Sequence, residues 1–158
     1  MFANDARPKA RFSMWLHFHG RMLTADRLSK WGLAVDPICS LCTAYLETRD
    51  HLFMECHFIK LVCNKVLKWA QRKPATTATW DQYLRWVIMN GKGKTQAAGL
   101  FRMMLAECVH VVWLERNQRV FEDKSRTSDS IAREIVYMKI LIKTTLSQKA
   151  SNVLDDEY

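Results

Sequence analysis

Three cysteines and one histidine stand within eighteen residues of one another, in the order Cys-x2-Cys-x8-His-x4-Cys. They are Cys39, Cys42, His51 and Cys56. Thiolate sulfur and imidazole nitrogen are the usual ligands of structural zinc, and two cysteines separated by two residues can point both sulfur atoms into one tight turn. A second pair from the start of a following helix would complete the tetrahedron. The spacing therefore predicts a structural zinc ion.

The second ligand pair leaves alternatives open. Residues five apart are about 140° apart around an ideal α-helix, so we expect His51 in the first helical turn or just before it. Thr48 or Asp50 could cap that helix through a side-chain oxygen. Three other side chains could substitute as a ligand: Glu55, His57 and Cys63.

Cysteine usage also indicates the compartment. Free cysteines are often small buried hydrophobic residues, but three of the five fall in the order that zinc modules use. The odd number and the polar, charged stretch Met1–Arg11 favour metal binding over disulfides. We therefore expect an intracellular reducing compartment, either the nucleus or the cytoplasm.

The chain carries a formal net charge of +8, from 24 basic and 16 acidic residues. Three thiolates around one zinc ion would lower this total to +7, so the chain stays basic. A basic surface permits attraction to a polyanion such as nucleic acid. The basic residues around the cysteines and on the following helix are the candidates for phosphate contacts: Arg7, Lys9, Arg11, Arg21, Arg27, Lys30, Lys65, Lys68, Arg72 and Lys73.

Helices dominate the predicted fold. Only three prolines and five glycines interrupt the 158 residues, and no strand-like alternation of useful length occurs. We predict an all-α fold, with a small zinc-stapled helical module over residues 1–71, a helical C-terminal region over 79–148 and a polar tail over 149–158. No apolar run approaches the roughly 20 residues of a membrane span, so we expect no membrane partner.

Apolar periodicity and capping residues place the individual helices. Residues 1–11 are expected to form a loose basic arm, and a polar tail that frays is expected after Ser147. The expected helices are Phe12–Leu23, Thr24–Gly32, a helix that carries the last ligands and ends at Trp69, Thr79–Gly91 after a linker, Thr95–Phe121, and one from Ser128.

Several short motifs over residues 9–69 point to one family. They are Phe12 with Trp15, the run His19–Leu28, Trp31-Gly32, Asp36-Pro37, Glu47-Thr48, Asp50–Phe53 and Cys56. Together they resemble the zinc-binding domain found after the reverse transcriptase of LINE-class, non-LTR retrotransposons, particularly the plant forms. The resemblance implies that the ligands are Cys39, Cys42, His51 and Cys56.

A second segment, Trp113–Asn117 with Arg119 and Phe121, resembles the stretch that often closes such open reading frames. A reverse transcriptase also needs a palm domain with paired aspartates, whereas the pair Asp155-Asp156 lies in the polar tail without a supporting strand. We therefore expect a remnant or a separately expressed C-terminal piece without polymerase activity.

Two functions fit these observations. The first is a non-catalytic zinc module that binds RNA or DNA, with Trp15, Trp31 and Phe53 either stacking on bases or packed in the core. The alternative is a structural or protein-interaction scaffold, docked on the reverse transcriptase or another protein, in which zinc only stabilises the fold. An enzyme is not expected, because four protein ligands leave zinc no open position for water. The sequence carries no signal for an oligomeric state.

Overall fold

The computed structural model describes residues 6–76 and 79–155, with side chains described to Leu141 and at Thr144. The helices are α1 (Pro8–Phe18), α2 (Ala25–Lys30), a π-helical turn (His51–Glu55), α3 (His57–Trp69), α4 (Trp80–Gly91), α5 (Gln96–Glu122) and α6 (Ser128–Asp155). Within this part of the chain, β-type pairing is limited to one isolated antiparallel β-bridge, between Ile38 and Leu46. The prediction of an all-α fold is confirmed.

Helix α5 forms the centre of the molecule. Buried residues lie on all of its faces, among them Met103, Met104, Ala106 and Val111. A helix that is apolar all round must be covered on all sides, and α1, α4 and α6 pack directly against it. Helix α3 lies along α6. The predicted N-terminal and C-terminal parts therefore pack together, while the boundaries between them stay a prediction.

By length and composition, α5 is apolar enough to cross a membrane, so the expectation that no such stretch exists was wrong. About 56% of its most apolar stretch is buried inside the protein. Its polar groups also have partners there, since Glu107 pairs with Arg7 and His110 shares a hydrogen bond with Ser13. This pattern is that of a core helix.

Helices α4 and α5 begin at the predicted positions, and each is capped by a threonine. The Thr79 hydroxyl accepts a hydrogen bond from the Gln82 amide at 3.3 Å, and the Thr95 hydroxyl accepts one from the Ala98 amide at 3.2 Å. Each bond satisfies one of the amides that a helix start leaves free. The predicted linker over 72–79 includes residues 77 and 78, which lie outside the described residues.

The N-terminal segment is the main correction to the predicted elements. The expected loose arm is helical from Pro8, because proline suits the first turn of a helix. Ala6 and Ala10 are buried against α5, which fixes this segment to the core. Residues 1–5 of the arm lie outside the described residues. Helix α1 ends at Phe18, earlier than expected, since Gly20 adopts a left-handed conformation with a φ of 59°.

At the other end of the chain, the helical backbone of α6 continues to Asp155, past the point where fraying was expected. Ile131 and Ile135 of its first turns are fully buried against α3 and α5. The last three residues, 156–158, are not among those described, so the predicted polar tail is covered only in part.

Candidate metal centre

The loop that carries the first two cysteines closes on itself through backbone hydrogen bonds. The Cys39 amide donates to the Tyr45 carbonyl, and the Thr43 amide donates to the Cys39 carbonyl, both at 2.8 Å. Thr43 adopts a left-handed conformation, with a φ of 55°, which turns the chain back. Cys39 is fully buried and Cys42 is half-buried. These bonds hold both thiols in one tight turn, as the spacing predicted.

The second ligand pair lies on a π-helical turn and not on one continuous helix. The Thr48 hydroxyl accepts a hydrogen bond from the His51 amide at 3.0 Å and so caps the turn. The Cys56 amide then donates to the His51 carbonyl at 2.7 Å, the five-residue bond of a π-helix. Cys56 itself is extended, with a ψ of 124°, and α3 begins after it. His51 therefore lies before α3, one of the two positions expected for it, but Cys56 precedes α3 as well, so the expectation that the helix ending at Trp69 carries both ligands was wrong.

The four side chains converge. One ligand atom from each of Cys39, Cys42, His51 and Cys56 lies within 4.8 Å of all the others. The Cys42 sulfur is 3.3 Å from Nε2 of His51. A tetrahedral zinc ion with ligands at about 2.0–2.3 Å requires its ligand atoms to be about 3.5–3.8 Å apart. The donor set and its spacing therefore fit one zinc ion.

The other two thiols, those of Cys39 and Cys56, share a hydrogen bond. A hydrogen bond from Cys39 lowers the pKa of Cys56, and the same bond together with burial raises the pKa of Cys39. On the other side of the site, Nδ1 of His51 faces the Glu55 carboxylate at 4.0 Å. This separation exceeds hydrogen-bond distance, so the carboxylate is a neighbour of the imidazole and not a hydrogen-bond partner.

The alternative ligands lie outside this group. Among the described residues, the cluster of candidate metal ligands contains neither Glu55, His57 nor Cys63. Cys63 instead lines an apolar cavity of about 750 Å³ between α3, α4 and α5, together with Cys108 and Tyr83. Burial raises the pKa of Cys63 to about 11 and raises that of Cys108 as well, so both thiols are neutral.

A fold and a Cys3His site of this kind can be compared with known families. Residues 1–62 match the family model described as zinc-binding in reverse transcriptase. The predicted resemblance to a zinc-binding domain found with reverse transcriptases is therefore confirmed over this range, and zinc is its cofactor. The plant LINE-class origin stays a prediction. No curated protein and no solved structure matches the chain.

The matched zinc-binding domain is supported from outside its own range, by α5. Arg119 donates hydrogen bonds to the carbonyls of Ser40 at 3.3 Å and Leu41 at 3.1 Å, the two residues between the first cysteines. The Glu115 carboxylate, fully buried, accepts from Arg119 at 2.8 Å and so fixes its guanidinium. A helix some eighty residues away in sequence thus holds the cysteine turn.

A second contact of α5 lies beside the first. Arg116 and Glu47 form a buried ion pair in which Arg116 donates to both carboxylate oxygens, at 2.7–3.1 Å. The carboxylate also accepts a hydrogen bond from the Ala25 amide at 2.8 Å, at the start of α2. Glu47 therefore joins α2, the ligand loop and α5 at one point.

The sequence analysis did not predict the contact of Arg119 with the cysteine turn or the pair Arg116–Glu47, although it singled out the motifs that contain Glu47, Arg116 and Arg119. The motifs Glu47-Thr48 and Trp113–Asn117 carried the resemblance to the family, but no role followed from either one. The available signal was charge within a helix that has a long apolar stretch, since Glu115, Arg116 and Arg119 all lie on α5. Charged residues in such positions are buried only when paired.

Half of the candidate phosphate-binding residues have partners within the chain. The contact of Arg7 is made to a buried carboxylate, whereas an exposed pair such as that of Lys30 restrains its cation only weakly. The contacts are Arg7 with Glu107 at 2.5 Å, Arg27 with the Gly20 carbonyl and the Trp31 ring, Lys30 with Asp26 at 3.6 Å, Lys65 with Asp129 at 2.5 Å, and Arg72 with Asn90 at 3.2 Å.

The other five candidates are more available. Lys9, Arg11, Lys68 and Lys73 are exposed and form no ion pair or side-chain hydrogen bond with the described part of the chain. Arg21 is exposed too, and its guanidinium carbon lies 5.1 Å from the centre of the Trp15 ring. Three of the five, Lys9, Arg11 and Arg21, belong to α1 or follow it closely.

The three candidate stacking residues differ in exposure. Phe53 is buried and packs against the His17 ring at 4.4 Å, so it belongs to the core. Trp15 is half-buried on the outer side of α1. Trp31 is 59% exposed at the end of α2, so of the two roles considered for it, packing in the core does not apply.

Proposed function

We propose that this protein is a non-catalytic zinc module that binds nucleic acid through a basic surface, and that it derives from a retrotransposon reverse-transcriptase polyprotein. The observation that carries the proposal is the charge of α1 and its continuation. No acidic residue occurs from Pro8 to Ala25, while Lys9, Arg11 and Arg21 are exposed there. A cationic surface of this kind attracts phosphate groups.

Burial of acidic residues also contributes to the positive charge of this surface. Glu47, Glu107 and Glu115 are each buried and paired with arginines inside the fold. Their charges are neutralised locally, so they do not offset the exposed Lys9 and Arg11 of α1. The chain as a whole is basic, with a net charge of +8. The matched family supports the same class of partner, because it is a zinc-binding domain of reverse transcriptases.

The zinc site has a structural role in this proposal. Three thiolates and one imidazole fill a tetrahedral coordination sphere, which is the composition of structural zinc sites. Cys39 and Cys42 would tie the first loop to the π-helical turn that carries His51. The bound metal would thereby fix the position of α2 and α3 relative to the basic surface of α1.

The proposal is tested by measuring the affinity of the purified protein for a labelled oligonucleotide at two salt concentrations. The double variant Lys9→Glu/Arg21→Glu should lose most of the binding and should flatten the salt dependence. Each phosphate contact contributes a slope of roughly −0.7 to −0.9 in a plot of log affinity against log salt concentration.

The matched control is the double variant Lys124→Glu/Arg133→Glu, which reverses one lysine and one arginine at exposed positions beyond α5 and on α6. It should bind almost as the unmodified protein does. Equal losses in the control and in Lys9→Glu/Arg21→Glu would mean that only the overall charge matters, and absence of salt-dependent binding in the unmodified protein would refute the proposal. Both readouts require folded protein, which circular dichroism establishes for each variant.

A scaffold that docks on a protein is the second candidate, and one observation favours it. Trp69, Tyr137 and Ile140 are exposed apolar side chains along one groove between α3 and α6. We propose a reverse transcriptase domain as the partner, in the nucleus or the cytoplasm. Titration of such a purified domain with this protein should give a complex that Tyr137→Glu weakens and that high salt leaves intact.

A further inference from the structure

The outer side of α1 carries a row of aromatic rings. Phe12, Trp15 and His19 are spaced three and four residues apart and therefore lie along one side of the helix. The Phe12 and Trp15 rings stack at 6.2 Å with 13° between their planes, and the Trp15 and His19 rings are 4.6 Å apart. We call these three side chains the aromatic row.

The aromatic row is not part of the core. The opposite side of α1 provides the core contacts, through Ala10 and Met14, which pack against α5. Phe12 is 61% exposed, although exposing an aromatic ring to water is unfavourable. A phenylalanine this exposed, stacked on a second ring, offers a flat apolar surface to a ligand.

Cations surround the aromatic row. Arg11 lies one helical turn before Trp15, and Lys9 lies one turn before Phe12. Arg21 places its guanidinium over the Trp15 ring at 5.1 Å. A ligand that lies along this side of α1 therefore meets flat rings along its path and positive charge beside them.

A groove adjoins the aromatic row. It has a volume of about 440 Å³ between α1, α4 and α5, and its walls include Trp15, His19, Ile88 and Arg102. Cavities of this size accommodate small organic molecules. A flat ring of a ligand that lies next to Trp15 could therefore enter this groove and contact its apolar wall.

We propose that the aromatic row binds single-stranded nucleic acid, with unpaired bases stacked on Phe12 and Trp15 and phosphates near Lys9, Arg11 and Arg21. The inference rests on the proposed function and makes it more specific. Flat bases on aromatic side chains, with cations along the backbone, are the way proteins hold single strands without reading their sequence. Duplex DNA or RNA hides its base faces within the helix, so the aromatic row favours single strands over duplexes.

The test compares three labelled probes: a single-stranded oligonucleotide, the same strand annealed to its complement, and the same strand with abasic sites. The abasic strand keeps the phosphates and lacks bases. The zinc-loaded protein should bind the single strand best. Phe12→Ala should weaken that binding by between about fivefold and a hundredfold, the range for loss of one stacked base, and should not change binding of the abasic strand.

Two variants serve as controls. Phe121→Ala removes a phenylalanine that is 75% exposed near the far end of α5, and it should have no effect. Phe12→Trp keeps an aromatic ring at the same position and should retain binding. Because Phe12 contributes little to the core, Phe12→Ala should also keep the melting temperature of the unmodified protein.

The outcomes separate the two proposals. Salt-dependent binding that Phe12→Ala leaves unchanged would overturn the role of the aromatic row, as would a preference for the duplex, while nucleic-acid binding itself would stand. Lack of binding to all three probes would refute the proposed function, and the single-strand inference with it.

Discussion

Arg116 reaches from the central helix to Glu47, and the ion pair between them is almost inaccessible to water. The guanidinium contacts both oxygens of the carboxylate, which is the strong, bidentate form of this interaction. The pair connects the zinc-binding domain to α5. Because neither charge can return to water while the protein is folded, each one depends on the other.

Removing one partner of this pair should therefore be costly. Arg116→Met leaves the Glu47 carboxylate buried without a counter-charge, and we expect a loss of about 3–5 kcal/mol in the free energy of unfolding. Urea unfolding measures it. The double variant Glu47→Gln/Arg116→Met should recover part of the loss. A matched control, Lys30→Met, breaks the exposed pair with Asp26 and should cost less than about 1 kcal/mol. Similar losses in Arg116→Met and Lys30→Met would contradict the buried role.

Arg119 offers a prediction about the metal site itself. Its hydrogen bonds to Ser40 and Leu41 fix the turn between the first two cysteines. Arg119→Gln should lower the zinc affinity, by about tenfold or more, as loss of groups that orient metal ligands does. Competition with a chromophoric chelator gives the affinity. Arg133→Gln, on an exposed turn of α6, should leave it unchanged. An Arg119→Gln protein with undiminished affinity would show that the turn does not need α5.

The cysteines fall into two groups with different expected behaviour. Cys39→Ser or Cys42→Ser should lose zinc and unfold the N-terminal half, because zinc binding contributes on the order of 10 kcal/mol and is coupled to folding. Elemental analysis and circular dichroism record both effects. Cys63→Ser and Cys108→Ser, in the apolar cavity, should keep one zinc per chain. Loss of zinc in either of the latter would mean that the ligand set is wrong.

His17 makes stability depend on pH. It is fully buried, shares a hydrogen bond with the Tyr83 hydroxyl, and burial together with the nearby Arg49 charge lowers its pKa from 6.5 to about 3. The unfolded chain therefore binds a proton below about pH 6.5 that the folded chain does not bind. The stability from neutral His17 is complete above pH 6.5 and is lost as the pH falls towards 3, by up to about 1.4 kcal/mol per pH unit.

Urea unfolding of zinc-loaded protein at pH 7 and pH 5.5 tests this, with His17→Gln as the comparison. The variant should lose less stability between the two pH values than the unmodified protein. Protonation of the zinc ligands and of His110, whose pKa burial also lowers, affects both proteins alike and cancels in the difference. Equal losses would show that folding does not lower the pKa of His17.

The sequence predicted those parts of the structure that depend on neighbours in the chain. Cys39 and Cys42 form a tight turn because of their spacing, and Thr79 and Thr95 cap helices because their hydroxyls reach the amides three residues on. These arrangements are local. The zinc site could be predicted for the same reason, since all four ligands fall within a short stretch.

Contacts between distant residues could not be predicted in the same way. The pairs Arg116–Glu47 and Arg7–Glu107 are 69 and 100 residues apart in the chain. The residues around Arg7 in the sequence do not indicate that it pairs with Glu107 on α5. The segment was therefore expected to be a loose arm. Which cations are free to meet phosphates is decided by these pairings, and only the folded chain reveals them.

The five-residue backbone bond from Cys56 to His51 gives a meaning to the number of residues between those ligands. Four intervening residues are what a single π-helical turn encloses. Adding or deleting one residue there would rotate the second ligand away by about 100°. The four-residue interval between His51 and Cys56 is therefore typical of a π-helical turn. A related chain with a different interval at this place needs another backbone conformation to bring its last ligand to the metal.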